Sequence, residues 1–154
     1  MQPDADTLVP QTKLFATLVV AGQDFCIDIT QVRENRRWSP TTTLPHAPSY
    51  MMGTMNLRGE VIPIIDMAAM FGLQPIQPTD RNVIVIIEHD NKIIGLAVEA
   101  VRRILSVGTE EIREAPGARK DSSTSYIRGL ITTDAGMIRI ISVADVVLAM
   151  QDML

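Results

Sequence analysis

The chain is poor in the residue types that build disulfides, metal sites and membrane spans. Its 154 residues include one cysteine and two histidines. The single thiol, Cys26, excludes an internal disulfide and is typical of a protein of the reducing cytoplasm. His46 and His89 each stand in a turn-like segment without a second ligand at metal spacing, so we expect no metal. The apolar runs, such as residues 83–87, are far too short to cross a bilayer, so we expect no direct membrane insertion.

The sequence also lacks the motifs that carry catalysis or bind nucleic acid. Cys26 lies in an alternating strand pattern and has no adjacent basic residue to lower its pKa. The serines at positions 122, 123 and 125 have no Gly-x-Ser-x-Gly elbow, and no glycine-rich phosphate loop is present. The net charge of −4 comes without a cluster of Lys and Arg, which disfavours nucleic acid. We therefore expect no enzyme, no cofactor and no nucleic-acid partner.

What the sequence does contain is material for a β-rich core. Hydrophobic residues make up 46% of the chain and charged residues 21%. Short apolar or alternating runs predict strands, at residues 14–21, 25–29, 61–65, 83–87, 93–98 and 137–141. Helix is predicted only at residues 47–52, 66–71 and 142–150, the last with Ser142 as its N-cap. These elements predict an all-β fold with short helices.

An internal repeat divides the predicted strands into two sets. Residues 23–29 lead to Val32, and residues 91–98 lead in the same way to Val101, Ile104 and Leu105. Farther along, residues 57–59 and 62–67 are echoed by residues 127–129 and 138–143. A spacing of about half the chain predicts two similar β units. Each unit is too small to be stable alone, so the two pack together or exchange strands, leaving a groove between them.

This organisation predicts one domain after a short N-terminal segment. We expect a flexible N-terminus over residues 1–12 and a single domain over residues 13–152. Its approximate halves are residues 13–79 and 80–152, with strand exchange between them left open.

The segment from residue 44 to residue 67 carries a more specific pattern. A proline-rich turn leads to Asn56-Leu57-Arg58-Gly59, which is followed by two apolar pairs around Pro63 and by Asp66-Met67. This pattern resembles that of the CheW family, with Met67 where the family has Leu. The resemblance extends from residues 27–34 to the final helix and so covers nearly the whole chain. It implies two small five-stranded β-barrels packed together in one CheW-like domain, followed by a C-terminal helix.

The resemblance also implies a function. Proteins similar to this chain are non-catalytic adaptors that couple the cytoplasmic hairpin tip of a chemoreceptor, a methyl-accepting chemotaxis protein, to the regulatory domain of the CheA histidine kinase. The implied location is the cytoplasm, at receptor clusters on the inner membrane. The protein would be a monomer alone and part of receptor arrays when assembled. The alternatives are a scaffold of another chemosensory pathway, such as surface motility, and a small-ligand-binding β-barrel.

Matching positions imply the site residues. The receptor groove would be formed by Val32, Glu34, Val101, Ile104 and Leu105. The kinase would bind at Asn82 and Val83. In the motif Asn56, Leu57, Arg58 and Gly59, the arginine would form an ion pair with Glu34, which we expect to orient the two barrels.

Two departures from the family pattern bear on specificity. The segment Arg36-Arg37-Trp38 replaces an apolar residue followed by one arginine, and it could change which receptor is recognised. Trp38 would be either a binding anchor or a cap over the open end of a barrel. Where relatives often present a bulky apolar side chain in a later loop, this chain has only Ala118, which argues against a second kinase contact there.

Overall fold

The alternating apolar runs form strands in a computed structural model, which describes residues 11–114 and 126–151. The predicted flexible N-terminus falls mainly outside these residues, as does the loop that contains Ala118. The strands are β1 (Thr12–Val20), β2 (Gln23–Asp28), β3 (Val32–Arg37), β4 (Met51–Leu57), β5 (Glu60–Asp66), β6 (Val83–His89), β7 (Lys92–Val98), β8 (Ala100–Gly108), β9 (Ile112–Arg113), β10 (Ile127–Thr133) and β11 (Gly136–Ile141). The helices are α1 (Met67–Met70) and α2 (Val143–Gln151), with single 3-10 turns at Ile29–Gln31 and Thr109–Glu111.

The strands form two sheets that draw on both halves of the chain. Sheet A has the order β8-β1-β2-β11-β10-β9, and sheet B has the order β3-β6-β7-β5-β4. The hairpin β1–β2 thus pairs with strands of the second half, and the hairpin β6–β7 pairs with strands of the first. The contiguous halves 13–79 and 80–152 therefore do not form one β unit each. The chain takes the alternative of strand exchange, in which each half completes the sheet of the other.

Neither strand ladder closes continuously among the described residues, in contrast to the expected five-stranded barrels. One chain segment instead bridges the two edges of each sheet. In sheet B, β3 pairs with β6 at one edge, and the segment that follows β3 reaches the other edge. There Thr42 exchanges two backbone hydrogen bonds with Thr54 of β4, at 2.9 and 2.8 Å. In sheet A, β8 lies against β1 and the 3-10 turn after it leads to β9, which pairs with β10. Each sheet is therefore curled like a barrel, and the prediction of an all-β fold with two β units is confirmed.

The continuous apolar runs are buried on both faces of their strands. Because side chains alternate along a strand, Ile84 and Ile86 pack in a cluster enclosed by sheet B, whereas Val85 and Ile87 point the other way. The latter two join a cluster shared by both sheets and both helices. Sheet A encloses a third cluster around Phe15. The shared cluster is what holds the two curled sheets together.

Two of the three predicted helices are confirmed. Asp66 caps α1 by accepting a hydrogen bond from the Ala69 N–H at 3.1 Å, and Ser142 caps α2 through the Asp145 N–H at 3.3 Å. The helix predicted at residues 47–52 is wrong. These residues form turns and then the start of β4. The backbone carbonyl of Tyr50 accepts a hydrogen bond from the Asp66 N–H, which pairs this segment with the end of β5. Neither α1 nor α2 is long and apolar enough to span a membrane.

The structure also corrects the register of the repeat. Gly53 stands opposite Ile64 in the hairpin β4–β5, and Gly129 stands opposite Ile140 in the hairpin β10–β11, each after a bulge. Residues 127–129 therefore correspond to residues 51–53 and not to residues 57–59. The reason is steric. Because both glycines lack a side chain, the backbone of the segment that bridges the sheet edges can pass close to them. A Cβ on Gly53 would lie 2.4 Å from the Thr42 carbonyl oxygen, and one on Gly129 would lie 2.8 Å from the Arg113 carbonyl oxygen.

We predict that Gly53→Ala strongly destabilises the fold. Gly53 has φ +140°, and the new methyl group would collide with backbone that cannot move without breaking the bridge to Thr54. We expect the free energy of unfolding in urea to fall by at least about 2 kcal/mol. Gly22→Ala is the matched control, because Gly22 has φ +74° but open space around it, and it should cost roughly 1 kcal/mol. Equal losses in the two variants would show that the close approach at Thr42 is unimportant.

Candidate functional site

The motif Asn56-Leu57-Arg58-Gly59 forms the tight turn between β4 and β5. Leu57 pairs with Glu60, and the two turn residues have φ 49° and 90°, as a two-residue hairpin turn requires. The Asn56 side-chain oxygen accepts a hydrogen bond from the Gly59 N–H at 2.9 Å. Leu57 is buried in the cluster of sheet B. Arg58 and Gly59 are thus the two central residues of the turn, and the Arg58 side chain projects from it.

Arg58 reaches across sheet B to Glu34. Two guanidinium nitrogens donate to one carboxylate oxygen of Glu34, at 2.8 and 2.6 Å, while Arg36 lies 3.5 Å from the other oxygen. Glu34 is on β3 and the turn follows β4, which are the two edge strands of sheet B. The pair therefore joins the edges of one sheet, whereas we had expected it to orient two barrels. The Arg58 side chain is 65% exposed, so the pair contributes little to stability.

Three predicted groove residues lie on the sheet faces that look toward the shared cluster. Val32 pairs with Ile87, Val101 pairs with Leu18, and both valines are half-buried against that cluster. Ile104 pairs with Ala16 on the same face as Val101, and it is 51% exposed.

A β-bulge explains why Val101 and Ile104 share a face although they are three residues apart. Arg102 and Arg103 together stand opposite Thr17. The Thr17 hydroxyl forms hydrogen bonds with both backbone polar groups of Arg103 in the bulge. It accepts from the Arg103 N–H at 3.0 Å and donates to the Arg103 carbonyl at 2.9 Å.

The other two predicted groove residues lie on opposite faces. Leu105 pairs with Phe15 and packs in the cluster enclosed by sheet A. Glu34 pairs with Ile86, on the face of sheet B that looks into its own cluster. Alternation along β8 separates Leu105 from Ile104, whereas a bulge between Val32 and Glu34 sends Glu34 to the opposite face from Val32.

Sequence reasoning missed Leu14, which extends the exposed surface. Leu14 pairs with Ser106, lies on the same face as Ala16 and is 45% exposed. The alternation of Leu14, Ala16 and Leu18 in the sequence was a signal that could have revealed it. We call the surface formed by Leu14, Ala16, Val101 and Ile104 the apolar strip.

The predicted kinase-binding residues are largely enclosed. Asn82 is 9% exposed, its side-chain oxygen accepts from the Thr79 N–H at 2.6 Å, and its amide nitrogen donates to the Val98 carbonyl at 3.4 Å. Val83 is half-buried against the shared cluster. Asn82 thus supports the start of β6, and Val83 presents only part of its side chain to solvent.

Comparisons with known proteins agree with this arrangement. A sequence profile described as the CheW-like domain matches residues 15–150. The chain belongs to the CheW family. It is 44% identical over 122 residues to a probable chemotaxis protein CheW of Rhizobium etli, with 79% of each chain covered. It is 39% identical over 127 residues to the chemotaxis protein CheW of Rhizobium meliloti, with 82% of each covered.

A solved structure shows the same architecture. The scaffolding protein TtCheW from Thermoanaerobacter tengcongensis superposes with a TM-score of 0.77 at 29% identity, covering 86% of this chain and 89% of the other. Proteins of the CheW family are non-catalytic scaffolds, and this chain is one of them. The resemblance seen in the sequence and the expectation that the chain is no enzyme are therefore confirmed.

The two arginines of the segment Arg36-Arg37-Trp38 lie on opposite faces of β3. Arg36 pairs with Ile84 and lies on the face of Glu34, whereas Arg37 pairs with Val83 and lies on the opposite face. Trp38 is half-buried against the cluster of sheet B, and its backbone N–H donates to the Asn82 backbone carbonyl at 3.0 Å. This placement favours the cap over the binding anchor for Trp38.

The thiol of Cys26 is unreactive. Cys26 is buried in the cluster of sheet A, and burial raises its pKa from 9.0 to about 12, although the charge of Arg128 opposes the shift. Hardly any thiolate exists near neutral pH, so Cys26 is no nucleophile. Among residues 11–114 and 126–151, no three His, Cys, Asp or Glu side chains group as metal ligands.

We predict that the pair between Arg58 and Glu34 couples weakly. Because Arg58 is mostly exposed, a double-mutant cycle of Glu34→Ala and Arg58→Ala should give a coupling energy below about 1 kcal/mol in urea unfolding. Arg36→Ala serves as the control for loss of a neighbouring positive charge. A coupling energy above about 2 kcal/mol would instead indicate a desolvated pair on which the closure of sheet B depends.

Proposed function

We propose that this CheW-family chain couples the cytoplasmic hairpin tip of a chemoreceptor to the regulatory domain of a CheA-type histidine kinase. The apolar strip, exposed beside the shared cluster in a chain of the chemotaxis scaffold family, is the observation that carries the proposal. The receptor tip would bind the strip, and the kinase would bind a separate surface. The proposed location is the cytoplasmic side of receptor clusters, where both partners meet.

The strip is suited to a partner because it exposes aliphatic side chains close together. Leu14 and Ile104 are diagonal neighbours across the pair β1–β8, a relation that places them about 7 to 8 Å apart. The small side chain of Ala16 lies next to both of them, and Val101 extends the apolar surface toward the shared cluster. Covering such a surface releases water from apolar groups, which favours association.

The expected affinity of one such contact is modest. Covering the exposed half of an isoleucine or leucine side chain contributes roughly 1 kcal/mol each. A micromolar complex requires about 8 kcal/mol, so the polar rim and further apolar contacts must also contribute. Clustering of many receptors and adaptors would raise the effective concentration and compensate for weak single contacts. The proposal therefore includes assembly into an array, with a monomer as the free form.

For the kinase we propose the start of β6, with Val83 in contact and Asn82 as its support. Asn82 fixes the chain at the entry to β6 through its hydrogen bonds to Thr79 and Val98. Because the two sheets exchange strands and share one cluster, the protein would carry both partners as a nearly rigid body. A conformational change in the receptor would then change the position of the bound kinase domain.

We predict that Ile104→Asp lowers affinity for a purified receptor hairpin at least tenfold. A carboxylate in the strip must be desolvated when the partner covers it, whereas in the free protein it stays in water. Isothermal titration measures the affinity, and a urea unfolding curve checks the fold. Met137→Asp is the matched control, since Met137 is an equally exposed apolar residue on another strand of sheet A. Undiminished binding by a folded Ile104→Asp protein would exclude the strip as the receptor site.

We predict that Val83→Lys weakens binding of the kinase regulatory domain at least tenfold and leaves receptor binding intact. The lysine stem can extend to solvent, so the fold tolerates the change while the surface gains a charge. Val61→Lys is the comparison, because Val61 is 68% exposed on β5 of the same sheet and lines a cleft with Pro63 and Ile93. If Val61→Lys abolished binding and Val83→Lys did not, the kinase surface would be that cleft.

A further inference from the structure

The end of sheet A beside the β1–β2 turn carries an open cavity that the proposed function does not use. It has a volume of about 570 Å³ and is lined by Thr17, Gly22, Asp24, Arg102, Arg103 and Ile138. We call it the arginine cup. Because side chains alternate along β1, Thr17 points to the opposite face from Ala16, so the cup and the apolar strip lie on opposite faces of sheet A.

The cup lies where the two halves of the repeat differ in polarity. The register that matches Gly53 with Gly129 also matches three lining residues with three isoleucines of sheet B. The pairs are Thr17 with Ile86, Asp24 with Ile93, and Ile138 with Ile62. In sheet B the isoleucines pack in the enclosed cluster. In sheet A a threonine and an aspartate take two of these positions, so apolar side chains do not fill this end and it stays open to water.

The β-bulge in β8 directs two arginines into the cup. Neighbouring residues of a regular strand point to opposite faces, but Arg102 and Arg103 both stand opposite Thr17 and both line the cup. Bulges re-aim side chains in this way and are common beside functional sites. The Thr17 hydroxyl bonds both backbone polar groups of Arg103, so the bulge that carries the arginines is fixed.

The two guanidinium groups have no acidic partner among residues 11–114 and 126–151. The ion pairs in this part of the chain use the carboxylates of Asp28, Glu34 and Glu88, and none includes Arg102 or Arg103. Two positive charges therefore face one water-filled cavity without neutralisation by a carboxylate of these residues.

The equivalent position in sheet B shows what an arginine at this place would bind. Glu34 corresponds to Arg103, and it is bound by Arg58 from the β4–β5 turn. The turn residue that corresponds to Arg58 is Asp134, so the charges are exchanged between the two sheets. Within the described residues only the pair in sheet B is formed. Arg103 is thus available to an anion from outside the chain.

We propose that the arginine cup binds a small phosphate monoester, with its phosphate between the guanidinium groups of Arg102 and Arg103. Guanidinium groups match phosphate oxygens in pairs, and two of them balance a charge of about −2. The volume of the cup lies in the usual range for small-molecule sites. Asp24 repels a second anionic group and accepts hydrogen bonds, so the rest of the ligand carries a hydroxyl or amino group. This site is separate from the receptor and kinase surfaces proposed above.

The test is a titration of the full isotope-labelled chain, followed by NMR at pH 7.5 and constant ionic strength. Inorganic phosphate probes the arginines alone, and O-phosphoethanolamine adds an ammonium group for Asp24. We expect both probes to shift the amide signals of Thr17, Arg102 and Arg103 to saturation and to leave that of Val61 unchanged. The affinity for O-phosphoethanolamine should be at least about fivefold higher.

Substitutions that change one charge at a time identify the groups that bind. Arg102→Gln and Arg103→Gln should each lower the affinity for inorganic phosphate at least about tenfold. Arg33→Gln is the matched control, because Arg33 holds the position of Arg102 in the bulge of β3, and it should change the affinity less than about twofold. Asp24→Asn should strengthen binding of inorganic phosphate and abolish the preference for O-phosphoethanolamine. Urea unfolding checks the fold of each variant.

Three results would overturn the inference. The first is that neither probe shifts the signals of the cup, or that folded Arg102→Gln and Arg103→Gln bind phosphate as the unsubstituted chain does. The second is that phosphate binds only to Asp134→Asn, which would show that Asp134 closes on Arg103 in solution. The third is that a phosphoserine peptide binds at least about tenfold more tightly than O-phosphoethanolamine, because the occupant would then be a protein segment. Receptor coupling is tested separately at Ile104.

Discussion

The reciprocal exchange of two hairpins around one shared cluster is the constraint on which the rest of the structure depends. The hairpin β1–β2 is buried on one face by the cluster of sheet A and on the other by the shared cluster, and β6–β7 is buried in the same way in sheet B. Neither half of the chain can bury these strands alone, because each sheet is completed by strands of the other half. The exchange thereby sets the relation between the two sheets and between the surfaces that they carry.

The residues by which the family is recognised serve mainly this architecture. Gly53 admits the segment that bridges the edges of sheet B, and Asn56 and Gly59 form a turn that only a narrow set of residues can adopt. Arg58 meets Glu34 from the opposite edge of the same sheet. A motif that looks like a functional signature can thus be specific because a curled sheet has strict steric requirements.

The two helices break the symmetry of the repeat. Helix α1 ends after Met70, since Gly72 and Leu73 close it, and α2 continues to Gln151. Val85 of β6, against which α2 packs, is fully buried, whereas Leu14 of β1 and Ile104 of β8 are exposed.

The sequence by itself determined six of the eleven described strands, the N-cap Ser142 and the family, because alternation, capping and a contiguous motif are properties of a few neighbouring residues. Only the tertiary structure decided which strands pair and which side chains share a face. The bulge at Arg102 and Arg103 places Val101 and Ile104 together and sends Leu105 to the other side. Sheet pairing overrode the helix predicted at residues 47–52, and close approach at Gly129 set the repeat register. These features depend on partners distant in sequence, which local patterns do not contain.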